Sequence, residues 1–143
     1  SAALVAATPK TAVSIIPGAN HPVIITEISV SGSTTDAILV ELMESTQAGA
    51  GTGTGHTVQQ VRGYVAATLT APVATCSINF SAEPTALTLL KQWRFTGPGP
   101  FVIQSPLGRE VASLVSGAST RKALVVRLTS AATPTYYATV EFE

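Results

Sequence analysis

Residues 75–80 read Thr-Cys-Ser-Ile-Asn-Phe, so that polar and apolar side chains alternate over the whole stretch. Successive side chains of a β-strand point to opposite faces, and this period of two places Cys76, Ile78 and Phe80 together. The pattern is typical of an antiparallel strand with one face on a core and the other in water. The fold class then depends on how often the pattern recurs.

The same alternation recurs on both sides of this segment. It is found in residues 23–30, 37–44, 121–129 and 135–142, and less regularly in 58–69, 87–95, 101–104 and 110–115. Glycine- and proline-containing turns separate these segments. We therefore predict a single all-β domain, an antiparallel β-sandwich of jelly-roll type with about eight or nine strands. The expected core-facing residues are Ile24, Thr26, Ile28, Val30, Ile38, Val40, Leu42, Cys76, Ile78, Phe80, Leu124, Val126, Leu128, Tyr136, Ala138, Val140 and Phe142.

The first twenty residues differ from the rest of the chain. Residues 1–20 are rich in Ala, Thr and Pro, and Lys10 is their only charged residue. Pro9 and Pro17 interrupt any helix, which predicts an extended N-terminal arm over 1–20 and a sandwich domain over 21–143. The arm is too apolar for an ordinary solvated linker. A frayed terminus and an arm that binds a neighbouring subunit both fit this composition.

The charge content is low for a chain of 143 residues. Asp, Glu, Lys and Arg make up 11% of it, eight acidic against eight basic, whereas soluble domains average about 25%. The high apolar content excludes a disordered chain, and the absence of a basic excess argues against direct binding of nucleic acid. No apolar run approaches the length of about 18 residues that a membrane span needs. Zero net charge favours association with other copies or partners.

Several strands also carry apolar residues on the face that should be wet. Ile25, Leu39, Val125 and Tyr137 stand on these second faces, together with Val23 and Met43. Isolated surface apolar residues are common and need no explanation. Their number in a chain with so few charges favours the interpretation that an oligomer interface covers them.

No segment of the sequence has the pattern of an active or metal site. The glycine-rich residues 49–55 are followed by a predicted strand in place of the helix that a dinucleotide site requires, and no acidic residue occurs between Glu44 and Glu83, so we predict a loop that joins two strands. His21 and His56 belong to no metal-binding pair, Cys76 is the only cysteine, and Asp36 is the only aspartate. We expect no catalytic residue, no metal and no cofactor, and predict that the chain is not an enzyme.

Short phrases of the sequence resemble small jelly-roll head decoration, or cement, proteins of tailed bacteriophages. The likeness rests on NFSAEPT at 79–85, LKQWRF at 90–95 and GPFVIQSPLG at 99–108. It continues in ITEISVSG at 25–32, in ILVELMEST at 38–46, and in LVVRLT and ATVEFE at 124–129 and 138–143. It spans residues 23–143.

The resemblance implies a virion protein on the capsid exterior, present in the host cytoplasm during assembly. Such a protein bridges subunits of the major capsid protein, often as a homotrimer. The alternative is a trimeric jelly-roll head of a phage fibre or spike that binds a receptor or glycan, and a third possibility is the shell-forming protein itself. The expected interface anchors are Ile15, Ile16, Pro17, Leu39, Trp93, Phe95, Phe101, Val125 and Tyr137.

Overall fold

The computed structural model describes residues 2–18, 22–46, 49–58, 74–96, 98–106, 108, 110–112 and 122–142. Within these residues the chain is all-β, with antiparallel strands in two sheets and no α-helix, which confirms the predicted sandwich class. His21 and most of the strand predicted at 58–69 lie outside the described residues. The strands are β1 (Ala2–Ala3), β2 (Lys10–Ile16), β3 (Ile24–Gly32), β4 (Ala37–Thr46), β5 (Thr52–His56), β6 (Thr75–Ala82), β7 (Thr88–Thr96), β8 (Pro100–Gln104), β9 (Val111–Ala112), β10 (Lys122–Ser130) and β11 (Thr135–Phe142).

The two sheets differ in size and share one core. The smaller sheet has the order β1-β11-β3-β8, with β9 also pairing with β3, and the larger has the order β5-β6-β2-β10-β4-β7. Side chains from both sheets form one buried cluster, as the alternation predicts. Jelly-roll connectivity stays a prediction. The core-facing residues predicted correctly include Ile28, Val30, Ile38, Val40, Leu42, Cys76, Leu124, Val126, Leu128 and Tyr136.

A β-bulge in β3 changes the predicted face at the start of that strand. In the pairing with β11, Glu141 faces Glu27 but the next residue, Phe142, faces Ile25, so Thr26 is the extra residue. The alternation therefore shifts by one position before the bulge. Val23 and Ile25, predicted to point outward, are buried in the core, and Ile24 is only half-buried.

The segment predicted as an N-terminal arm is part of both sheets. Residues Ala2 and Ala3 pair with β11, Leu4 is buried in the core, and β2 lies between β6 and β10 inside the larger sheet. The structure thus differs from the predicted boundary at residue 20. Pro9 lies just before β2 and Pro17 just after it, so the prolines bound a strand without interrupting it.

The outer face of the larger sheet is partly covered by the connection between β6 and β7, residues 83–87, which we call the strap. The strap joins two strands that lie on opposite sides of β2, β10 and β4. Its contacts lie at Thr11 on β2 and at Ser45 on β4, so it crosses the sheet diagonally.

Polar contacts hold the strap on β2 and β4, two of the three strands that it crosses. The amide of Thr11 in β2 donates to Glu83 Oε2 at 2.9 Å, and the Ser45 hydroxyl of β4 lies 2.8 Å from the Thr85 carbonyl oxygen. The Thr85 amide donates to the carbonyl of Gly49 at 2.7 Å, which joins the strap to the turn after β4. Leu87 packs on a second buried cluster formed by Met43, Ala50, Ala123 and Val125.

Candidate interaction surfaces

Four of the predicted interface anchors lie in the interior of the single chain. Ile15 is 1% exposed, Val125 is 0% exposed, and Phe95 and Pro17 are also buried. This corrects their assignment to a partner surface, because a side chain enclosed by its own chain has no area left for another molecule. The apolar second face at Val125 is explained by burial under Leu87 and Ala50.

Trp93 and Phe101 also contribute mainly to the core. The rings of Phe95 and Phe101 stack with centroids 5.0 Å apart and planes 6° from parallel. Because Phe95 is the second-last residue of β7 in one sheet and Phe101 is the second residue of β8 in the other, the stack closes the corner where the chain changes sheet. Trp93 is half-buried and packs against the same core.

Tyr137 is the anchor that the structure leaves open, with 61% of its surface exposed. Leu39 is half-buried on the outer face of the larger sheet, and Ile16 is half-buried against the cluster under the strap. Among the nine predicted anchors, Tyr137 therefore offers the largest surface to a partner.

Tyr137 belongs to a flat outer face of the smaller sheet, which we call the Tyr137 face. Three rows cross strands β11, β3 and β8 in register. Between Tyr137 and the 48% exposed Val102 stand only small hydroxyl side chains. The rows are Tyr137, Ser31 and Pro100, then Thr139, Ser29 and Val102, then Glu141, Glu27 and Gln104.

The last of these rows brings two carboxylates together. Glu141 and Glu27 are direct cross-strand neighbours, and like charges at such positions destabilise a sheet. The Gln104 amide donates to Glu27 Oε2 at 2.9 Å. In the part of the chain that the structure describes, Glu141 has no ion pair or side-chain hydrogen bond.

A second exposed apolar site lies at the beginning of β7, the last strand of the larger sheet. In the pairing with β4, Leu42 faces Lys91 and Met43 faces Leu89, so Leu90 is the extra residue of a β-bulge. Leu89 and Leu90 are both exposed. A strand that carries two exposed leucines at the edge of a sheet is a candidate contact for another chain.

A groove of about 310 Å³ opens where β4, β7 and β10 meet the N-terminal turn, residues 5–8; we call it the Arg94 groove. Cross-strand pairing sets Thr129, Leu39 and Arg94 in one row across its floor. The wall opposite Arg94 is formed by Ala7, whose amide donates to the Ser130 carbonyl at 2.7 Å. The groove stays open because several of its lining residues are alanines, whose side chains are too small to fill it. Its lining comprises Ala7, Ala37, Leu39, Arg94, Thr129, Ser130 and Ala131.

Arg94 is unusual among the cations that the structure describes. Lys10 pairs with Glu83, Lys122 pairs with Glu44, and Arg127 pairs with Glu41 at 2.9 Å. Arg94 is exposed and makes no ion pair or side-chain hydrogen bond within the described ranges. It is therefore available to a carboxylate from outside the chain.

The residues considered for catalysis are not brought into one site. His56 is exposed at the end of β5, and Asp36 accepts a hydrogen bond from the Thr34 hydroxyl at 2.6 Å in the turn before β4. Cys76 is buried, and burial raises the pKa of its thiol. Across the described ranges, no three His, Cys, Asp or Glu side chains are grouped so that they could hold a metal ion.

The glycine-rich segment differs from the predicted loop. Residues 52–56 form β5, which pairs with β6 at the edge of the larger sheet opposite β7. Among the described strands, β5 pairs with β6 only. Its glycines therefore do not have to pack against the side chains of a second neighbouring strand, and a segment of alternating Thr and Gly can form a strand there. Of the glycine-rich residues 49–55, the first three precede β5.

Sequence reasoning missed the Arg94 groove and the bulge at Leu90. The groove depends on the turn at residues 5–8 folding back onto Ser130, which is far away in sequence. The one available signal was Arg94 itself, a cation on a strand without an acidic residue.

Comparisons with known proteins do not assign the chain to a family. Over the described residues, no helix has the length and apolar character needed to cross a membrane. No family model matches the chain, and no curated protein or solved structure is significantly similar to it.

Proposed function

We propose that this chain is a virion structural protein that decorates the outside of a phage capsid and bridges subunits of the major capsid protein, acting as a homo-oligomer and specifically as a homotrimer. It acts by burying part of its surface against partner proteins, and it catalyses no reaction. The proposal begins with the resemblance of residues 23–143 to decoration proteins and depends on where the exposed apolar side chains lie.

The observation that carries the proposal is the separation of two exposed apolar sites. Leu89 and Leu90 lie at the bulge of β7 in the larger sheet, whereas Tyr137 and Val102 lie on the outer face of the smaller sheet. A protein that bridges neighbours must contact more than one of them at once. Two apolar sites on different sheets of one small sandwich meet that requirement, and several modest contacts add up strongly in an oligomer.

The test is co-sedimentation of the purified chain with shells of the virus that encodes it, prepared without this protein. Wild-type chain should sediment with the shells, and Leu89→Ser with Leu90→Ser should weaken binding about 100-fold, because each leucine contributes about 1.5 kcal/mol or more when buried. Gln92→Ser on the same strand is the matched control and should bind as the wild type does.

Two results would overturn the proposal. Wild-type chain that stays in the supernatant at every concentration removes shell decoration as its function. Binding to glycans on an array, without affinity for shells, would instead support the receptor- or glycan-binding head.

A further inference from the structure

The Arg94 groove offers a cation beside an apolar floor. Arg94 stands at one wall, Leu39 and Thr129 form the floor, and Ala7 forms the far wall. Lys10, Lys122 and Arg127 lie in ion pairs with Glu83, Glu44 and Glu41, whereas Arg94 makes no ion pair within the described residues. A ligand for this groove needs a carboxylate and, a short distance away, an apolar group.

The Tyr137 face offers the complementary groups. The repulsion between Glu141 and Glu27 is relieved within the chain only through Gln104, which donates to Glu27 and leaves Glu141 without a partner in the described residues. An external cation at Glu141 would lower this repulsion. Tyr137 projects from the same strand and the same face, with most of its ring exposed.

The spacing on the two surfaces is similar. Residues 137 and 141 are four positions apart in β11, which separates them by about 13 Å. In the groove, the row from β7 across β4 to β10 spans about 10 Å, and the wall at Ala7 lies beyond it. If the Glu141 carboxylate of a second copy lies on Arg94, the Tyr137 ring on the same strand therefore reaches the far end of the groove, at the small side chain of Ala7.

We infer that the Arg94 groove of one copy of this chain binds the Tyr137 face of a second copy. Arg94 pairs with Glu141, and the Tyr137 ring packs against Thr129 and Ala7 at the far end of the groove. The inference rests on the proposed homo-oligomer and names the two surfaces that form it. Because the surfaces are different, the contact is heterologous and closes into a ring when the rotation between copies allows.

Charge reversal tests this contact in the full-length chain. Arg94→Glu places a carboxylate against Glu27 and Glu141, and Glu141→Arg places two arginines together. Each single variant should self-associate at least about tenfold more weakly than wild type in sedimentation velocity over a concentration series. Thr52→Glu with Thr54→Glu, two exposed positions on β5, gives the same change in net charge as Arg94→Glu and should leave association unchanged.

Restoration of the pair makes the test specific. Arg94→Glu combined with Glu141→Arg in one chain should recover association, since every contact then joins opposite charges. Wild-type chain that is monomeric at all concentrations overturns the inference, as do single variants that associate normally or a double variant that does not recover. A monomer that still binds shells overturns this inference and the proposed homo-oligomer but leaves shell decoration in place, whereas an Arg94-dependent oligomer that ignores shells overturns only the capsid proposal.

Discussion

Val125→Ala tests whether the side chains that bury Val125 come from the same chain or from a partner chain. Val125 lies on the outer face of β10 and is 0% exposed, and Leu87 of the strap packs on its cluster. Removing two carbon atoms costs about 1.6 kcal/mol in transfer free energy, and the cavity left behind raises the loss of stability to about 2–3 kcal/mol. For a chain of this length the melting temperature should fall by about 7–10 °C.

Urea unfolding followed by circular dichroism, at a protein concentration where the chain is monomeric, measures this loss. Val40→Ala removes the same atoms from the opposite face of the same sheet, where Val40 is also fully buried, and should cost a similar amount. Tyr137→Ala truncates an exposed side chain and should change stability by less than about 0.5 kcal/mol. A Val125→Ala chain with wild-type stability but a smaller oligomer would refute the role of the strap and restore the interface interpretation.

The remaining predictions concern a glycine, an aromatic pair and a thiol. Gly51→Ala should destabilise the chain by about 1–3 kcal/mol, because Gly51 has a φ of 79° and an added Cβ would lie 2.6 Å from the Ala82 carbonyl oxygen; Gly55→Ala, where nothing lies within 4 Å, should cost at most about 1 kcal/mol by the same urea titration. A double-mutant cycle of Phe95→Leu and Phe101→Leu should give a coupling of about 0.5–1.5 kcal/mol, and additive losses would contradict the stack. Burial raises the pKa of the Cys76 thiol, so the unfolded chain loses this proton at lower pH than the folded chain; the free energy of unfolding should fall as pH rises above the ordinary value of 9.0, and an equally steep fall in Cys76→Ala would show that other groups cause it.

The strand alternation in the sequence predicts the sandwich because each strand buries one face in a shared core. Residues 75–80 fall within β6 and residues 37–44 within β4. Their alternating positions Ile38, Val40, Leu42, Cys76 and Ile78 lie in the core or pack against it, whereas Phe80 is half-buried and is not one of the core residues. This much is local, since period-two alternation needs no knowledge of which strands pair. The all-β class and most strand positions could therefore be read from the sequence.

Bulges and crossings could not be predicted in this way. The extra residue at Thr26 moves Ile25 from the solvent face to the core, and nothing in residues 23–30 marks it. Leu87 lies far in sequence from Val125, so its position over β10 depends on how the strap crosses the sheet. For this reason Val125 is misread as an interface residue, whereas the exposure of Tyr137 follows from simple alternation.

The candidate interaction surfaces were only partly visible in the sequence. The low charge content led to the prediction that a partner covers part of the surface, and Tyr137, which the sequence assigns to that surface, is exposed in the structure. The Arg94 groove is formed by side chains from the N-terminal turn, β4, β7 and β10. Small side chains such as those of Ala7 and Ala37 leave the groove open. The alternation of apolar and polar residues in the sequence does not show where neighbouring side chains are too small to fill the space between them.

The place of β10 in the larger sheet sets the order in which the chain must be assembled on the ribosome. β10 lies between β2 and β4, beneath the strap, yet it is synthesised after all three. Until residue 130 has left the exit tunnel, the nascent chain holds two unpaired inner edges, at β2 and β4, and a strap with no strand below it. Such non-local pairing slows folding and exposes edges that other nascent chains can join. The larger sheet is therefore completed only when β10 follows β2 and β4 out of the ribosome.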